Sequence, residues 1–326
     1  MGDYIIAIDI GGSKILGAIM DRSARVLLRR RENTCAVGHP GAVADQVARM
    51  VTQMKDTMGL QEQDILGIGV GVPGPLDYQA GVVEESPNLQ WEKYPIRDEL
   101  NKRLGAKLLL DKDTNVAVMG EAYFGVEHPC DNMIYITVST GIGGGIITEG
   151  RLLHGLHGGG GEIGHMTVDP DGPLCGCGRR GCLEAVASGT AIARQAEALI
   201  AQGGGKKILH YLEPGQTVSA REAAQAAHDG DEEALDLFLR AGRYLGAGIA
   251  SLVNILNPER VILGGGMALG AQDLLLPTIR NEAFNNIFSL HRRDLKIGMT
   301  RLGEDIVLVG CAAMVLHDPT VGNRNN

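Results

Sequence analysis

The sequence predicts an α/β protein made of two similar halves. Runs of β-rich residues alternate with helix-like apolar patterns along the chain, which is typical of this class. A β-rich run, a glycine turn and a second β-rich run open the chain, as YIIAIDIGGSKILGAIMD, and the same order recurs about 130 residues later, as NMIYITVSTGIGGGIITEG. The chain has 326 residues, of which 44% are hydrophobic, and is therefore long enough for two domains of ordinary size.

The first half continues from this hairpin through further strand and helix patterns. Residues 41–59 carry apolar side chains at helical spacing, and Gly59 ends the predicted helix. The methionines of this helix are expected to pack in the core. Residues 65–77 predict a buried strand that runs into a Pro-Gly turn. Residues 106–125 predict a strand and then a helix, with DKDTN at the junction.

The second half begins with the repeated hairpin, at residues 132–150. Residues 234–257 then predict a long helix, and residues 258–270 predict a strand that enters a third glycine turn. If the two halves faced each other across a cleft, their glycine turns would lie against one ligand.

Composition narrows the possible partners. The formal net charge is −9 and the pI is about 5.5, and an acidic chain without a long basic run argues against nucleic acid or an anionic membrane as partner. The first residues lack the basic region of a secretory signal, and no stretch of about 20 apolar residues predicts a membrane span. We therefore expect a cytoplasmic protein whose thiols stay reduced.

One stretch, GEIGHMTVDPDGPLCGCGRRGCLEA, crowds three cysteines and a histidine together. Cys175, Cys177 and Cys182 follow His165 at spacings that suit a tetrahedral Zn²⁺ site with one nitrogen and three sulfur ligands. The alternative is a reduced cysteine loop that faces solvent. A redox-active pair is disfavoured because no Cys-x-x-Cys precedes a helix.

The glycine turns DIGGSK (residues 9–14) and STGIGGG (residues 139–145) share one chemistry. Their glycines leave backbone N–H groups free to bind phosphate oxygens, and the hydroxyl residues add donors. Asp9 could hold Mg²⁺, and Lys14 could lie near phosphate. Neither turn matches a Walker A loop or a dinucleotide-binding fingerprint. The alternative to phosphate binding is that each is a simple hairpin turn.

Taken together, these motifs resemble the ROK family of sugar kinases, within the actin–hexokinase–Hsp70 superfamily. Beside the two glycine turns and the cysteine stretch, the resemblance rests on the motifs GVGVPGPLD, PNLQW, DKDTNVAVMGE and NPERVILGGGM. It implies two ribonuclease-H-like domains around a central cleft. The smaller would cover residues 1–118, with about residues 305–326 returning to it, and the larger would cover residues 119–304 and carry the cysteine loop.

The resemblance also assigns binding residues. It implies that zinc is bound by His165, Cys175, Cys177 and Cys182. It implies that the sugar is bound by Glu162, Glu184, Gly74, Asn88, Asp113 and the second ring nitrogen of His165. It implies that Mg²⁺ and ATP are bound by Asp9, Gly11, Gly12, Ser13, Lys14, Thr140, Gly141, Gly264, Gly265 and Gly266.

The same resemblance makes Asp113 the catalytic base. Open α/β sheets carry their sites at strand ends, where DKDTN lies. The family motif is Asn-Asp-x-Asn, and here Lys112 replaces the first asparagine, a usual sugar contact, whereas Asn115 matches the second. The alternative role for Asp113 is the N-cap of a helix predicted over residues 114–124. Asp111, two residues away, is given no role.

The implied activity is ATP-dependent phosphorylation of a hexose at its 6-hydroxyl, with glucose as the first expectation. N-acetylmannosamine, N-acetylglucosamine, fructose and allose are alternative substrates. A sugar-responsive repressor is an alternative of another class. It is disfavoured because the chain is acidic and its phosphate strand starts three residues from the first residue. The resemblance also implies a homodimer or a higher homo-oligomer.

Overall fold

The computed structural model describes residues 2–35, 39 and 41–318, which form two compact units. Of these residues, those up to Cys130, Leu152–Gly160 and those from Glu304 onward belong to the first unit. The second unit comprises Asp131–Arg151 and Gly161–Gly303. Each unit is therefore built from segments that are distant in the sequence.

The first unit contains a five-stranded sheet, in the order β3-β2-β1-β4-β8, and a three-stranded sheet, in the order β5-β6-β7. The strands are β1 (Tyr4–Ile10), β2 (Lys14–Met20), β3 (Val26–Asn33), β4 (Ile65–Val72), β5 (Leu76–Asp77), β6 (Val82–Ser86), β7 (Trp91–Tyr94) and β8 (Leu108–Lys112). The helices are α1 (Ala42–Met58), α2 (Ile96–Asn101), α3 (Asp113–Gly120) and α11 (Ile306–Leu316), α4 to α10 being those of the second unit.

The register of the larger sheet aligns the strand ends that carry the predicted site. Strand β1 is antiparallel to β2 and parallel to β4, which is in turn parallel to β8. Asp9 therefore lies opposite Gly71, and Gly71 lies opposite Asp111. Helix α1 covers the sheet with fully buried methionines, Met50 and Met54, as its spacing predicted.

The second unit repeats this architecture. Its sheet has the order β11-β10-β9-β12-β13, with β9 antiparallel to β10 and parallel to β12. The strands are β9 (Met133–Val138), β10 (Ile142–Thr148), β11 (Arg151–Leu152), β12 (Arg260–Gly264) and β13 (Lys296–Met299). The helices are α4 (Leu183–Ala187), α5 (Gly189–Ala201), α6 (Lys206–Leu209), α7 (Ala220–His228), α8 (Glu232–Leu256), α9 (Gly266–Gly270) and α10 (Gln272–Asn286). The weak sequence repeat thus corresponds to a duplicated sheet.

The division into units differs from the expected bounds, because residues 119–130 and Leu152–Gly160 lie with the first unit. Helix α3 packs closely on α11: a Cβ added to Gly310 would lie 1.9 Å from the Val116 carbonyl oxygen. This contact holds α3 and the residues that follow it to the first unit. The helix predicted over residues 114–124 also differs, since α3 ends at Gly120 and a π-type turn covers Glu121–Gly125.

Among the described residues, no helix combines the length and apolarity needed to cross a membrane.

Candidate active site

The first glycine turn joins β1 to β2 in the first unit. The backbone N–H of Gly11 donates to the Lys14 carbonyl oxygen at 2.9 Å, which closes the turn. A Cβ added to Gly12 would lie 2.7 Å from the Asn88 Cβ, so only glycine lets the turn pack against this residue. The first glycine turn and Asn88, which were predicted from distant motifs, therefore lie together.

Asp9, near the end of β1, is a half-buried carboxylate. Its pKa is raised to about 7, mostly by burial and in addition by the like charge of Asp113, while the Lys14 ammonium opposes both effects. Two carboxylates that repel each other at a strand end suit a divalent cation with oxygen ligands, because the cation removes the repulsion. The donor set therefore fits the Mg²⁺ expected from the sequence.

Asp113 is the first residue of α3 rather than its N-cap, a position that Lys112 occupies without a side-chain hydrogen bond. Its Oδ1 accepts a 2.7 Å hydrogen bond from the backbone N–H of Thr114. The carboxylate thus satisfies one donor of the helix N-terminus, although not from the N-cap position considered from the sequence. The catalytic role stays a prediction.

Lys14 lies in a basic cluster that the sequence did not predict. Its ammonium is 3.7 Å from Oε2 of Glu304, and the same oxygen lies 3.5 Å from Arg29 and 3.9 Å from Arg31. Arg29 also pairs with Asp305 at 3.0 Å. These pairs connect β2 and β3 to the chain just before α11, and they place several cations beside the first glycine turn.

The second glycine turn, between β9 and β10, is fixed by the start of α5. The backbone N–H of Gly189 donates to the Ser139 carbonyl oxygen at 2.8 Å. The Thr190 hydroxyl donates to the Thr140 carbonyl oxygen at 2.8 Å. These bonds hold the turn that contains Thr140 and Gly141, both predicted to bind ATP.

A cavity of about 620 Å³ adjoins this turn within the second unit. The volume is in the range of about 300–1,000 Å³ usual for small-molecule sites. Ser139, Thr140 and Gly266 line it, together with Arg221, Gln225 and His228 of α7. The three α7 residues were not predicted. The Ser-x-x-Glu capping signal at Ser219 could have located this helix start but not its proximity to the turn.

The third glycine turn, after β12, packs so closely against β9 that it leaves no room for a side chain at Gly264 or Gly265. A Cβ added to Gly264 would lie 2.4 Å from the Tyr135 hydroxyl oxygen. Gly265 has a φ of +89°, and its added Cβ would lie 2.6 Å from Thr137 Oγ1. These glycines therefore let the chain turn from β12 into α9 directly against β9, at the cavity wall that Gly266 lines.

The predicted sugar residues of the second unit lie around one turn and one short helix. Glu162 precedes the 3₁₀ turn Ile163–His165, and Glu184 lies in α4. Glu184 Oε2 accepts a 2.9 Å hydrogen bond from the Ile142 backbone N–H, and its Oε1 lies 3.9 Å from Cys175 Sγ. Glu184 therefore connects the second glycine turn to the cysteine stretch.

The cysteine stretch has the geometry of a metal centre. The ligand atoms of His165, Cys175, Cys177 and Cys182 all lie within 4.8 Å of one another. Cys177 Sγ is 3.6 Å from Cys182 Sγ, and Cys175 Sγ is 3.7 Å from His165 Nδ1. Two sulfurs on a tetrahedral zinc with 2.3 Å bonds lie about 3.8 Å apart, so the arrangement fits Zn²⁺.

The three thiols of this group differ in pKa. A backbone N–H hydrogen bond from Arg179 lowers the pKa of Cys177 to about 6, whereas burial raises the pKa of Cys182 to about 12. Burial also raises the pKa of Cys175. A cation at the centre of the group would favour the thiolate form of all three.

Close backbone packing shapes this loop. Gly181 has a φ of +66°, and an added Cβ would lie 1.5 Å from the Asp169 carbonyl oxygen. Val168 and Asp169 both donate their backbone N–H groups to the Gly181 carbonyl oxygen. The Tyr244 hydroxyl on α8 donates to Asp169 Oδ2 at 2.9 Å, which holds the loop to the rest of the unit.

Two β-sheets of the same order, each with a glycine turn after its first strand, define a member of the actin–hexokinase–Hsp70 superfamily, as the sequence predicted. The ROK family model matches residues 5–318, and the chain belongs to this family.

Three relatives illustrate the range of the family. The chain is 34% identical to a glucokinase of Thermotoga maritima, over 95% of this chain and 96% of the relative. It resembles a crystal structure of a ROK family glucokinase from Streptomyces griseus in complex with glucose and AMPPNP, with a TM-score of 0.79, 31% identity and coverage of 95% and 98%. It is also 34% identical to a xylose repressor of Caldicellulosiruptor bescii, over 78% of this chain and 63% of the repressor.

Proposed function

We propose that the protein is an ATP-dependent hexose kinase that converts glucose to glucose 6-phosphate. The observation that carries this proposal is the position of Asp113, whose carboxylate lies at the end of β8 and interacts electrostatically with Asp9, next to the first glycine turn. A proton acceptor beside a phosphate turn and a cation site is the arrangement that phosphoryl transfer to a hydroxyl needs.

In the proposed reaction, Asp113 takes the proton of the sugar 6-hydroxyl. The oxygen attacks the γ-phosphorus of ATP in line, the bond to the β–γ bridging oxygen breaks, and ADP leaves. The proton resides on Asp113 until it passes to solvent. Asp113 is therefore a base that must be ionised when the sugar binds.

Several of the predicted residues would recognise the sugar. Carboxylates accept hydrogen bonds from hydroxyls, so Glu162 and Glu184 are suited to a sugar ring. Because His165 Nδ1 faces Cys175, its Nε2 is available as a further sugar contact. Gly74 and Asn88 complete the proposed set.

Phosphate and nucleotide binding would use the glycine turns. The first turn, with Gly11, Gly12, Ser13 and Lys14, and the second turn, with Thr140 and Gly141, offer backbone and side-chain donors to phosphate oxygens. The cavity beside Gly266 and α7 would take the adenosine. Asp9 would hold Mg²⁺, which neutralises charge on the transferring phosphoryl group.

Zinc would act on structure rather than on chemistry. His165, Cys175, Cys177 and Cys182 would hold it with no position left open, as in structural zinc sites. Its role would be to fix the loop that carries Glu162, His165 and Glu184. Reduced thiols of this kind suit the cytoplasm, where we expect the enzyme to work. We also expect it to form a homodimer or a higher homo-oligomer.

A coupled assay of ADP release with glucose, N-acetylmannosamine, N-acetylglucosamine, fructose, allose and mannose tests the proposal. We expect glucose to give the highest kcat/KM. A clear preference for another hexose would refute the glucose assignment and keep the kinase class. The similarity to a xylose repressor defines the other outcome: absence of sugar phosphorylation, with DNA binding that responds to a sugar, would refute the kinase class as well.

A further inference from the structure

A buried polar network surrounds the residue just before Lys112. Asp111, which was given no role from the sequence, is only 6% exposed. Its Oδ1 accepts hydrogen bonds from the Lys112 backbone N–H at 2.7 Å and from Asn115 Nδ2 at 2.9 Å. Its Oδ2 lies 2.6 Å from His154 Nε2. A buried carboxylate with three hydrogen-bond partners stabilises the local structure, so Asp111 has a structural role next to Asp113.

Lys112 and Asp111 hold the segment Leu152–Gly160 in the first unit. The Lys112 ammonium donates to the Gly160 carbonyl oxygen at 3.1 Å, and Asp111 holds His154. The Gly160 backbone N–H donates to the His154 carbonyl oxygen at 2.8 Å, so both anchors lie at the ends of one closed loop. We call the loop with its two anchors, Lys112–Gly160 and Asp111–His154, the clasp.

Close packing restricts the conformations that the loop of the clasp can adopt. The His154 ring stacks on Tyr78, with centroids 3.8 Å apart and planes at 16°. Gly158 has a φ of +74°, and an added Cβ would lie 2.1 Å from the Leu76 carbonyl oxygen. Leu156, at the tip, is 90% exposed. The loop ends are therefore anchored and its tip is in solvent.

The clasp reaches residues proposed to bind the sugar. The Lys112 side chain packs against Gly74, where an added Cβ would lie 2.8 Å from Lys112 Cδ. Asp113 follows Lys112 directly, and Glu162 follows Gly160 by two residues. Lys112 itself is 5% exposed and donates to a backbone carbonyl. These contacts indicate that Lys112 holds its neighbours in place, in a position where the family motif has an asparagine that contacts sugar.

We propose that Lys112, Asp111 and His154 are positioning residues for sugar binding, which act by holding the backbone of Gly74, Asp113 and Leu152–Gly160 in one arrangement. The proposal rests on the proposed kinase function. Releasing either anchor should leave the phosphate turns intact, because the two anchor bonds are made to Gly160 and His154. The effect should therefore fall on the sugar and not on ATP.

Two variants, each with a matched control, test this. Lys112→Met keeps the stem that packs on Gly74 and removes the ammonium. Its control is Lys102→Met, at an exposed lysine that pairs with Glu99. His154→Phe keeps a ring on Tyr78 and removes the bond to Asp111. Its control is His317→Phe, at a histidine stacked on Tyr123 with centroids 3.7 Å apart.

The first measurement is amide hydrogen exchange of the full chain without substrates, so it does not depend on activity. We expect exchange over residues 154–160, including the Gly160 amide, to become at least about tenfold faster in both variants and to stay unchanged in the controls. Unchanged exchange in both variants would overturn the clasp, whether or not the protein proves to be a glucose kinase.

The second measurement is steady-state kinetics. Since a hydrogen bond to a charged group contributes about 1.5–3 kcal/mol, we expect the sugar KM to rise about tenfold or more, with the ATP KM within about threefold of wild type. In the double variant the two effects should not multiply, because both anchors hold one loop. Faster exchange with an unchanged sugar KM, or an equal rise of both KM values with a fall in melting temperature, would overturn the positioning role.

Discussion

The backbone N–H of Ile142 donates a 2.9 Å hydrogen bond to Glu184, so one carboxylate joins the second glycine turn to the helix that follows the cysteine loop. The same carboxylate lies 3.9 Å from Cys175 Sγ, and an added Cβ at Gly141 would lie 2.4 Å from its Oε2. Within the second unit, the predicted sugar, metal and phosphate residues are therefore parts of one connected structure.

Replacing Glu184 with glutamine should separate its sugar role from its structural role. Gln keeps an oxygen that can accept from the Ile142 N–H but removes the charge. We expect the melting temperature to change little and the glucose KM to rise roughly 10- to 100-fold, as for loss of a charge-assisted hydrogen bond. Glu184→Ala should in addition lower the melting temperature. Equal glucose KM values in wild type and Glu184→Gln would remove Glu184 from the sugar site.

The metal content should be about one zinc per chain in protein purified without added metal, as four ligands define one structural site. Cys177→Ala should lose most of this zinc, melt at a lower temperature and bind glucose more weakly, since metal-binding energy is also folding energy. Elemental analysis and thermal unfolding measure these effects. Cys35→Ala, outside the cluster, is the control, and fully active wild type with almost no zinc would end the hypothesis.

Asp113→Asn should lower kcat by at least about 100-fold, the lower end of the contribution of a positioned general base. Glucose and ATP should still bind, which calorimetry can measure. The matched control is Asp98→Asn, an exposed acid in the first turn of α2. Asp111→Asn is unsuitable, because Asp111 is buried in a network. A near-normal kcat in Asp113→Asn of normal stability would leave only a role at the helix N-terminus.

Asp9→Asn should abolish most activity and yet stabilise the protein in the absence of Mg²⁺ and nucleotide. The folded-state pKa of about 7 lies above the unfolded value of 3.8, so ionised Asp9 destabilises the fold. This cost appears as the pH rises above 3.8 and is complete above about 7. We therefore expect the variant to melt a few degrees higher at pH 8 and at nearly the wild-type temperature at pH 4. A lower melting temperature at pH 8 would contradict this.

Gly181→Ala should damage the cysteine loop much more than Gly178→Ala. Both glycines have positive φ angles, of +66° and +83°, so each alanine costs roughly 1 kcal/mol or more of backbone strain. Only at Gly181 does the added Cβ clash, 1.5 Å from the Asp169 carbonyl oxygen, whereas at Gly178 nothing lies within 4 Å. Zinc content and melting temperature should fall clearly in Gly181→Ala and little in Gly178→Ala. Equal losses would show that strain alone matters.

The sequence by itself determined the features that depend on short stretches of chain. Apolar spacing predicted α1, whose methionines are buried, and the strand–turn–strand pattern predicted the two hairpins β1–β2 and β9–β10. Cysteine and histidine spacing predicted the four-residue cluster. These predictions succeed because helix period, turn chemistry and metal-ligand spacing are local properties of the chain.

Only the tertiary structure decided which distant residues meet. Asp111 and His154 are 43 residues apart, and nothing in either local pattern indicates that they pair. The cavity beside the second glycine turn is lined by α7, whose own sequence predicts a helix and no binding role. Residues 119–130 join the first unit because α3 packs against α11, almost 200 residues later. Such contacts are fixed by strand order and close packing across the whole chain, which a local pattern does not encode.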